Sequence, residues 1–128
     1  MQLALRLPAE RDARWELARQ AGVKHTVLNL PDHPHPWEYG PLSDLVERAE
    51  RAGLSTEVIE QRPPMDAIRL GRDGRERQIE QVCELVRNLG RLDVPVWCWS
   101  WRTHFPVFRT GEMTVRGGSR VTDRKSVV

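Results

Sequence analysis

The stretch from Arg72 to Trp101 reads RDGRERQIEQVCELVRNLGRLDVPVWCWSW and joins a helical pattern to a run of β-forming residues. Asp73 can cap the helix, and Glu76, three residues later, can reach back to it as in a capping box. Gly90 suits the left-handed position that follows a helix. The run Val94–Trp101 is too short and too rich in β-forming residues to be another helix. The stretch therefore predicts a helix that begins at Asp73, a tight turn and a strand.

The predicted helix has one apolar face, because its apolar residues recur at three- and four-residue steps. That face holds Ile79, Val82, Cys83, Val86 and Leu89. The opposite face is polar and holds Arg77, Gln78, Gln81, Glu84 and Asn88. We expect the apolar face to be buried.

The composition is that of a globular domain. The 128 residues have room for one domain, and the apolar share of 39% and the charged share of 30% are ordinary. The 20 basic and 18 acidic residues give a net charge of +2 and are mostly interleaved. Interleaving is typical of solvated helix faces rather than of a nucleic-acid surface, so no nucleic-acid partner is predicted.

Two features bear on the cellular compartment. The stretch Met1–Pro8 carries Arg6 within its apolar run and lacks a small-residue cleavage site, so it is a poor signal peptide. No window is long and apolar enough to span a membrane. Cys83 and Cys98 fall on an apolar helix face and inside a strand, where buried free thiols are expected. We therefore predict a cytoplasmic protein with no membrane partner.

Upstream of Arg72 the chain alternates strands with helices. Three strands are predicted, at Gln2–Leu7, His25–Leu30 and Ser55–Glu60. Two helices are predicted, from a cap at Asp12 to Ala21 and from Leu42 to Ala52, and each stops at a glycine. Between them, Pro31–Pro41 holds four prolines and a glycine and is predicted to be a long loop.

Strands that alternate with helices at this spacing imply right-handed βαβ units and a parallel sheet. Four strands and three helices in sequential order match the N-terminal half of a (β/α)8 TIM barrel and also fit a small open α/β sheet. The half-barrel explains why a polar, proline-rich or aromatic segment follows each strand, since the loops after the strands build the active site of a barrel. It predicts strands in sequential order with all the helices on one side of the sheet.

The order of short motifs along the chain resembles that of the mannonate dehydratases. From Gly71 to Trp101 the matching pieces are GRDGRERQIE, VRNLG and VWCWSW. Further pieces fall in the family's order: Gly22-Val23-Lys24, Ala52-Gly53-Leu54, Val58-Ile59-Glu60, Ile68-Arg69-Leu70-Gly71, Pro106-Val107, Arg109-Thr110 and Arg116-Gly117-Gly118. The resemblance covers residues 1–122. It departs at Trp99 and Ser100, where the family typically has tyrosine and asparagine.

This resemblance implies a xylose-isomerase-like barrel that dehydrates D-mannonate, a sugar acid, to 2-keto-3-deoxy-D-gluconate in hexuronate catabolism. It also implies a divalent metal, Mn2+ or Fe2+, which would stabilise the charge that develops next to the substrate carboxylate. The family's metal ligands, two histidines, a cysteine and an aspartate, belong to later strands. The resemblance therefore implies a truncated chain that holds no metal ligand and lacks turnover by itself, and a homo-oligomer for the full-length protein.

Six residues are predicted to bind the substrate: Asn29, Glu60, Ser100, Trp101, Arg109 and Arg116. The first two end strands, which in a barrel point at the mouth of the pocket, although simple loop capping would place them there equally well. Trp101, after Ser100 at a strand end, could stack on a sugar, whereas Trp97 and Trp99 are expected to pack against helices. The two arginines could pair with a carboxylate, although exposed loop arginines are common.

Two other groupings have residue types that occur in metal or catalytic sites. His33-Pro34-His35 places two imidazoles one residue apart, but only Asp32 is spaced to complete a metal shell, so no metal site is predicted in this chain. Cys98 with His104 has the residue types of a nucleophile and a base, but a cysteine in mid-strand between tryptophans is more often part of a core. Catalytic residues are therefore expected on later strands.

Two other functions fit the sequence less well. A sugar or sugar-phosphate isomerase or epimerase would use the same barrel, because a fold does not fix its chemistry. A small stand-alone α/β binding module would need polar or covered outer edges on its first and last strands. The run Val94–Trp101 is instead apolar on both faces, as expected of a strand with a neighbour on each side.

The last six residues, DRKSVV, depart from the family pattern. Their codons can be read as a common sequencing-adapter sequence that ends in a stop. We therefore predict a partial TIM-barrel domain over residues 1–122 and a non-native tail over residues 123–128, with a genuine terminus as the alternative.

Overall fold

The computed structural model describes residues 3–101 and 111–123, over which strands and helices alternate. The strands are β1 (Ala4–Leu7), β2 (His25–Asn29), β3 (Ser55–Glu60), β4 (Val96–Cys98), β5 (Gly111–Thr114) and β6 (Arg120–Asp123). The α-helices are α1 (Ala13–Gln20), α2 (Tyr39–Arg51), α3 (Asp66–Leu70) and α4 (Arg75–Arg91).

The first four strands form one parallel sheet in the order β1-β2-β3-β4. In the part of the chain that the structure describes, each of these strands is hydrogen-bonded only to strands that are next to it in chain order. Parallel neighbours need a crossover connection, and the helical segments between the strands provide it. The predicted parallel sheet in sequential order is confirmed, and it has the arrangement of half a β/α barrel.

The core lies on one face of this sheet. Leu7, Leu28 and Ile59 are paired across β1, β2 and β3 and are buried. The helices cover them with buried side chains: Trp15 and Ala18 of α1, Leu42, Leu45 and Ala49 of α2, and Leu85 and Leu89 of α4. On the other face, the register-matched Arg6, Val27, Val58 and Val96 are half-buried or exposed. The three longer helices therefore pack on one side of the sheet, as the half-barrel predicts.

Asp12 caps α1, as the sequence predicts. Its Oδ1 accepts a hydrogen bond from the backbone N–H of Arg14 at 2.9 Å, and its Oδ2 accepts one from Arg14 Nε at 2.7 Å. The side-chain bond from Arg14 is the main reason why the pKa of Asp12 lies below its ordinary value. Trp15 is buried in the first turn and donates from Nε1 to the Pro8 carbonyl at 3.0 Å, which ties α1 to the end of β1.

The structure has four α-helices in its described residues, where the sequence predicts three. The additional helix, α3, is five residues long, too short to show the apolar periodicity by which helices are recognised. The helix α2 begins at Tyr39, so the predicted loop up to Pro41 is shorter than expected. Proline is tolerated there because the N–H groups of a first helical turn have no partner within the helix.

Both predicted ends of α4 are wrong. Gly74, with a φ of 85°, is the N-cap residue, and no side chain of the described residues caps the helix, so the predicted capping box from Asp73 does not form. Because glycine adopts this left-handed conformation without steric cost, the N-cap is Gly74, one residue after the predicted Asp73. At the other end, the helix runs through Gly90 to Arg91, and Asp93, with a φ of 53°, takes the left-handed position.

The face of α4 that is buried also differs from the predicted face. Leu85, Asn88 and Leu89 are buried, whereas Ile79 and Val86 are exposed. Asn88, predicted on the polar face, donates from Nδ2 to the carbonyl of Trp37 at 3.0 Å. A buried amide needs such a partner, and this bond explains how a polar residue occupies the inner face.

The strands β5 and β6 form a separate antiparallel sheet in a region predicted only as a segment after the fourth strand. A short 3-10 turn at Arg116–Gly118 joins them. Asp123, the first residue of the predicted tail, pairs with Gly111 in this ribbon. Residues 124–128 lie outside the described residues, and the non-native tail stays a prediction. Within the described part of the chain, no helix has the length and apolar character to cross a membrane.

Candidate functional site

Polar side chains meet at the carboxyl ends of the first three strands. Asn29 and Glu60 are the last residues of β2 and β3 and are paired in register, and Cys98 of β4 follows them in the same row. Arg6 of β1 donates from Nη2 to Asn29 Oδ1 at 3.2 Å, and its Nε lies 2.7 Å from Glu60 Oε2. Side chains from three different strands are thus joined in one cluster, the Arg6–Asn29–Glu60 cluster.

This cluster lies on the sheet face that the helices leave open. Arg6 and Glu60 have side chains that are 61% and 36% exposed, so the ion pair is accessible from solvent. In parallel β/α folds, ligands bind at the carboxyl ends of the strands, where the following loops converge. The cluster therefore has the position of a ligand site.

Two cavities adjoin the cluster. The larger has a volume of about 790 Å³ and lies beyond β3 and β4, lined by Glu60, Gln61, Arg62, Pro63, Pro64, Asp66, Cys98, Trp99 and Ser100. The smaller, of about 270 Å³, lies beyond β1 and β2 and is lined by Arg6, Leu7, Pro8, Arg14 and Asn29. Glu60 borders the larger space and Asn29 the smaller one. The cluster thus stands between two open spaces at the same edge of the sheet.

The wall of the larger cavity is fixed by bonds between β3 and β4. Gln61 has a φ of 97°, a conformation that is rare for residues other than glycine. It is held by two bonds: its N–H donates to the Cys98 carbonyl at 3.2 Å, and its own carbonyl accepts from Trp97 Nε1 at 2.7 Å. The ring of Trp99 stacks on that of Trp97, with centroids 5.5 Å apart. The chain just after Glu60 is therefore positioned by the neighbouring strand.

The structure places four of the six predicted binding residues at or near this edge. Asn29 and Glu60 are brought together, and Ser100 lines the larger cavity with Glu60. Trp101 lies beyond β4, is 57% exposed and meets Trp99 edge to face with centroids 6.0 Å apart. Binding of substrate by these residues stays a prediction.

The two predicted arginines are placed differently. Arg116 lies in the exposed turn of the β5–β6 ribbon, and Arg109 lies outside the described residues. Of the neighbouring tryptophans, Trp97 packs against the core as expected, whereas Trp99 is 46% exposed because β4 ends at Cys98, earlier than predicted. For the same reason Cys98 is exposed rather than buried.

Arg6 is the residue of the cluster that the sequence analysis missed as a site residue. It lies between Leu5 and Leu7 on the side of the first strand opposite to the alternating leucines, one position before the strand ends. A charged residue at that place points to the open face of the strand end. The sequence therefore contains a signal for Arg6. The partners of Arg6, however, lie 23 and 54 positions away in sequence, and only the strand pairing brings them together.

The described residues do not fit the metal site of the family. No group of three or more histidine, cysteine, aspartate or glutamate side chains within residues 3–101 and 111–123 is arranged to hold a metal ion. His33 is engaged locally, since its Nδ1 accepts a hydrogen bond from the His35 backbone N–H at 3.0 Å. His104, the proposed partner of Cys98, lies outside the described residues.

Fold and site together define this chain as part of a parallel β/α barrel with a polar site at the carboxyl ends of its strands. The family model for D-mannonate dehydratase (UxuA) matches residues 1–126. The chain therefore belongs to the D-mannonate dehydratase family, a family of metal-dependent hydro-lyases that act on a sugar acid.

Individual relatives agree with this assignment. The mannonate dehydratase of Thermotoga neapolitana is 38% identical over 91 residues, which cover 70% of this chain and 25% of that protein. The mannonate dehydratase of Lactococcus lactis subsp. cremoris is 36% identical over 95 residues, which cover 73% of this chain and 26% of that protein. The chain thus spans about a quarter of the length of the curated relatives it matches.

Two solved structures share the fold. The mannonate dehydratase of Streptococcus suis serotype 2 superposes with a TM-score of 0.80 at 25% identity, over 95% of this chain and 36% of that one. A xylose isomerase domain protein from Planctomyces limnophilus superposes with a TM-score of 0.52 at 15% identity, over 74% of this chain and 39% of that one. The second likeness shows the fold alone.

Proposed function

We propose that this chain forms the N-terminal part of a mannonate dehydratase, which converts D-mannonate to 2-keto-3-deoxy-D-gluconate. The observation that carries the proposal is the Arg6–Asn29–Glu60 cluster, which joins three strand ends on the open face of a sheet from this family. Carboxylate and amide groups at this place suit the hydroxyl groups of a sugar acid. Ser100, Trp101, Arg109 and Arg116 are proposed to complete the substrate site.

The proposed enzyme uses Mn2+ or Fe2+, which supplies stabilisation of negative charge when it is bound. Among the described residues of this chain there is no group of three or more possible metal ligands. The family resemblance implies that the metal is held by residues from later strands of the barrel. The part of this chain is then to bind and orient the substrate. We further propose that the enzyme is cytoplasmic and homo-oligomeric.

The proposal is tested by restoring a complete barrel. Residues 1–122 are joined to the remaining strands of the Streptococcus suis enzyme, and keto-acid formation from D-mannonate is followed with added Mn2+. The joined protein is expected to turn over substrate and to lose activity with a chelator, whereas the 128-residue chain alone is expected to show no turnover. The gene extended downstream of codon 122 is assayed in parallel, in case the joined protein does not fold.

A pair of variants connects activity to the cluster. Glu60→Gln is expected to lower kcat/KM by roughly tenfold to a hundredfold, because hydrogen bonds to a charged group are worth more than those to a neutral one. Glu50→Gln, an exposed carboxylate on α2, is the matched control and is expected to leave kcat/KM unchanged. Absence of turnover in both complete barrels, or turnover by the 128-residue chain alone, would contradict the proposal.

A further inference from the structure

Arg6 reaches from β1 to the polar side chains that end the next two strands. We infer that Arg6 is a positioning residue, which holds Asn29 and Glu60 so that they bind the hydroxylated end of the substrate and not its carboxylate. This inference rests on the proposed function and deepens it, since it assigns a part of the sugar acid to this part of the barrel.

The geometry of the guanidinium group explains the positioning. One planar fork contacts both partners, with Nε 2.7 Å from Glu60 Oε2 and Nη2 3.2 Å from Asn29 Oδ1. Two side chains that would otherwise rotate independently are thereby held at a fixed spacing. A lysine, which presents a single point charge, cannot reproduce this two-pronged contact.

The atoms that remain available match a hydroxyl group. Among the described residues, Glu60 Oε1 and Asn29 Nδ2 make no hydrogen bond, so the pair offers an acceptor oxygen and the N–H donors of an amide nitrogen. A hydroxyl group can donate to the first and accept from the second. A carboxylate can only accept, and it would also face the negative charge of Glu60.

The charges beside the smaller cavity favour a neutral group there as well, whereas Arg62 lines the larger cavity. The positive charge of Arg6 is balanced by Glu60 at 2.7 Å. Arg14, which lines the smaller cavity beside Arg6, is balanced by Asp12 at 2.5 Å. No uncompensated positive charge is therefore left among these four residues to attract a carboxylate, whereas a polyol is held by hydrogen bonds alone.

The inference is tested on the 128-residue chain by saturation-transfer NMR, which observes the ligand and tolerates association of the protein. Three ligands are compared: D-mannonate, D-mannitol, which has hydroxyl groups without a carboxylate, and propionate, which has a carboxylate without hydroxyl groups. We expect saturation transfer to D-mannonate and D-mannitol and none to propionate. Within D-mannonate, the protons of the hydroxylated tail should receive more saturation than the proton next to the carboxylate.

Variants separate positioning from a merely structural role. Arg6→Met is expected to weaken D-mannitol binding by about tenfold, since the partners lose their fixed spacing. It should weaken D-mannonate binding more, because Glu60 is left with an unbalanced charge that repels the anion. Arg6→Lys keeps a positive charge, so it should weaken D-mannitol binding but restore the ratio of the two affinities. Arg51→Met, on the exposed surface of α2, is the control and should change neither affinity.

The outcomes are distinct from those of the activity assay. Saturation transfer to propionate but not to D-mannitol would overturn the inference, and so would saturation transfer to none of the ligands. It would also be overturned if Arg6→Met and Arg6→Lys each weakened the binding of D-mannonate and of D-mannitol equally. Turnover by the complete barrel together with such a result would leave the proposed function standing. Polyol binding without turnover would instead support the inference and contradict the reaction.

Discussion

At the scale of single residues, the open face of the sheet carries a second pair of polar side chains in contact, at the amino ends of the strands. His25 Nδ1 lies 2.8 Å from Glu57 Oε1, which also accepts a hydrogen bond from Ser55 Oγ at 2.8 Å. Glu57 is the extra residue of an irregularity, where the pairing shifts between Thr26 and Val27. The bonds from His25 and then Ser55 hold the pKa of Glu57 below its ordinary value of 4.5.

This lowered pKa predicts a stability contribution that acid removes. A carboxyl group with a depressed pKa in the folded state stabilises the fold above its unfolded pKa and ceases to do so as pH falls through the folded pKa. We expect the stability difference between the unchanged chain and Glu57→Gln to be largest above about pH 5 and to vanish as pH falls below 4.5 through the lowered pKa of Glu57. Chemical unfolding at a series of pH values measures it.

The histidine supplies the control. In a double-mutant cycle with His25→Asn, the coupling to Glu57 should follow the same pH dependence. A coupling that persists unchanged at the acid end would contradict the assignment of the shift to this pair.

At the scale of elements, α4 is anchored by one polar residue. Asn88 is buried and donates to the Trp37 carbonyl, while Arg91 of the last turn bonds the Asn88 side chain at 3.4 Å and lies 4.1 Å from the centre of the Tyr39 ring. These contacts join α4 to the end of the loop between β2 and α2. The loop that follows a strand end near the site is thereby fixed by a helix distant in sequence.

Loss of this anchor should be costly. Asn88→Ala leaves the Trp37 carbonyl buried without a partner, and we expect unfolding free energy to fall by roughly 1–3 kcal/mol. Arg87→Ala, exposed on the same helix, is the control and should change it by about 0.5 kcal/mol or less. Urea unfolding of the three proteins provides the comparison, and equal effects of the two substitutions would rule out the anchoring role.

These elements also show how far sequence reasoning reaches. The existence and order of α1, α2, α4 and the four parallel strands follow from periodicity and stop signals, and so does the placing of Asn29 and Glu60 at strand ends. The orientation of the buried face of α4 does not follow from these signals, because it depends on a hydrogen bond from Asn88 to a carbonyl 51 positions away in sequence. Arg6 was missed for the same reason, since its role is defined by partners on other strands.

At the scale of the whole molecule, the four-stranded sheet has two open edges within residues 3–101 and 111–123. Neither β1 nor β4 has an outer partner among the described residues, and each carries exposed apolar side chains, such as Leu5 and Val96. Such edges are templates for pairing with another chain. In a closed barrel both edges would be paired.

The 128-residue chain is therefore expected to associate in solution. Size-exclusion chromatography should show species larger than the 14.8 kDa monomer. Val96→Lys, which places a charge on the β4 edge, should shift the chain toward the monomer. Val86→Lys, an equally exposed valine on α4, should shift it less if the strand edges carry the association. A monomeric unchanged chain would contradict the expectation.

The sequential strand order has a consequence for how the chain folds as it is made. The three pairings begin at Ala4 with His25, at His25 with Ser55 and at Val58 with Val96. Each of β2, β3 and β4 therefore pairs with a strand that has already been translated. Closing loops of this length costs little more for the longest than for the shortest. The sheet can therefore grow in the direction of synthesis on the ribosome, and its outermost strand at any moment is the one most recently released.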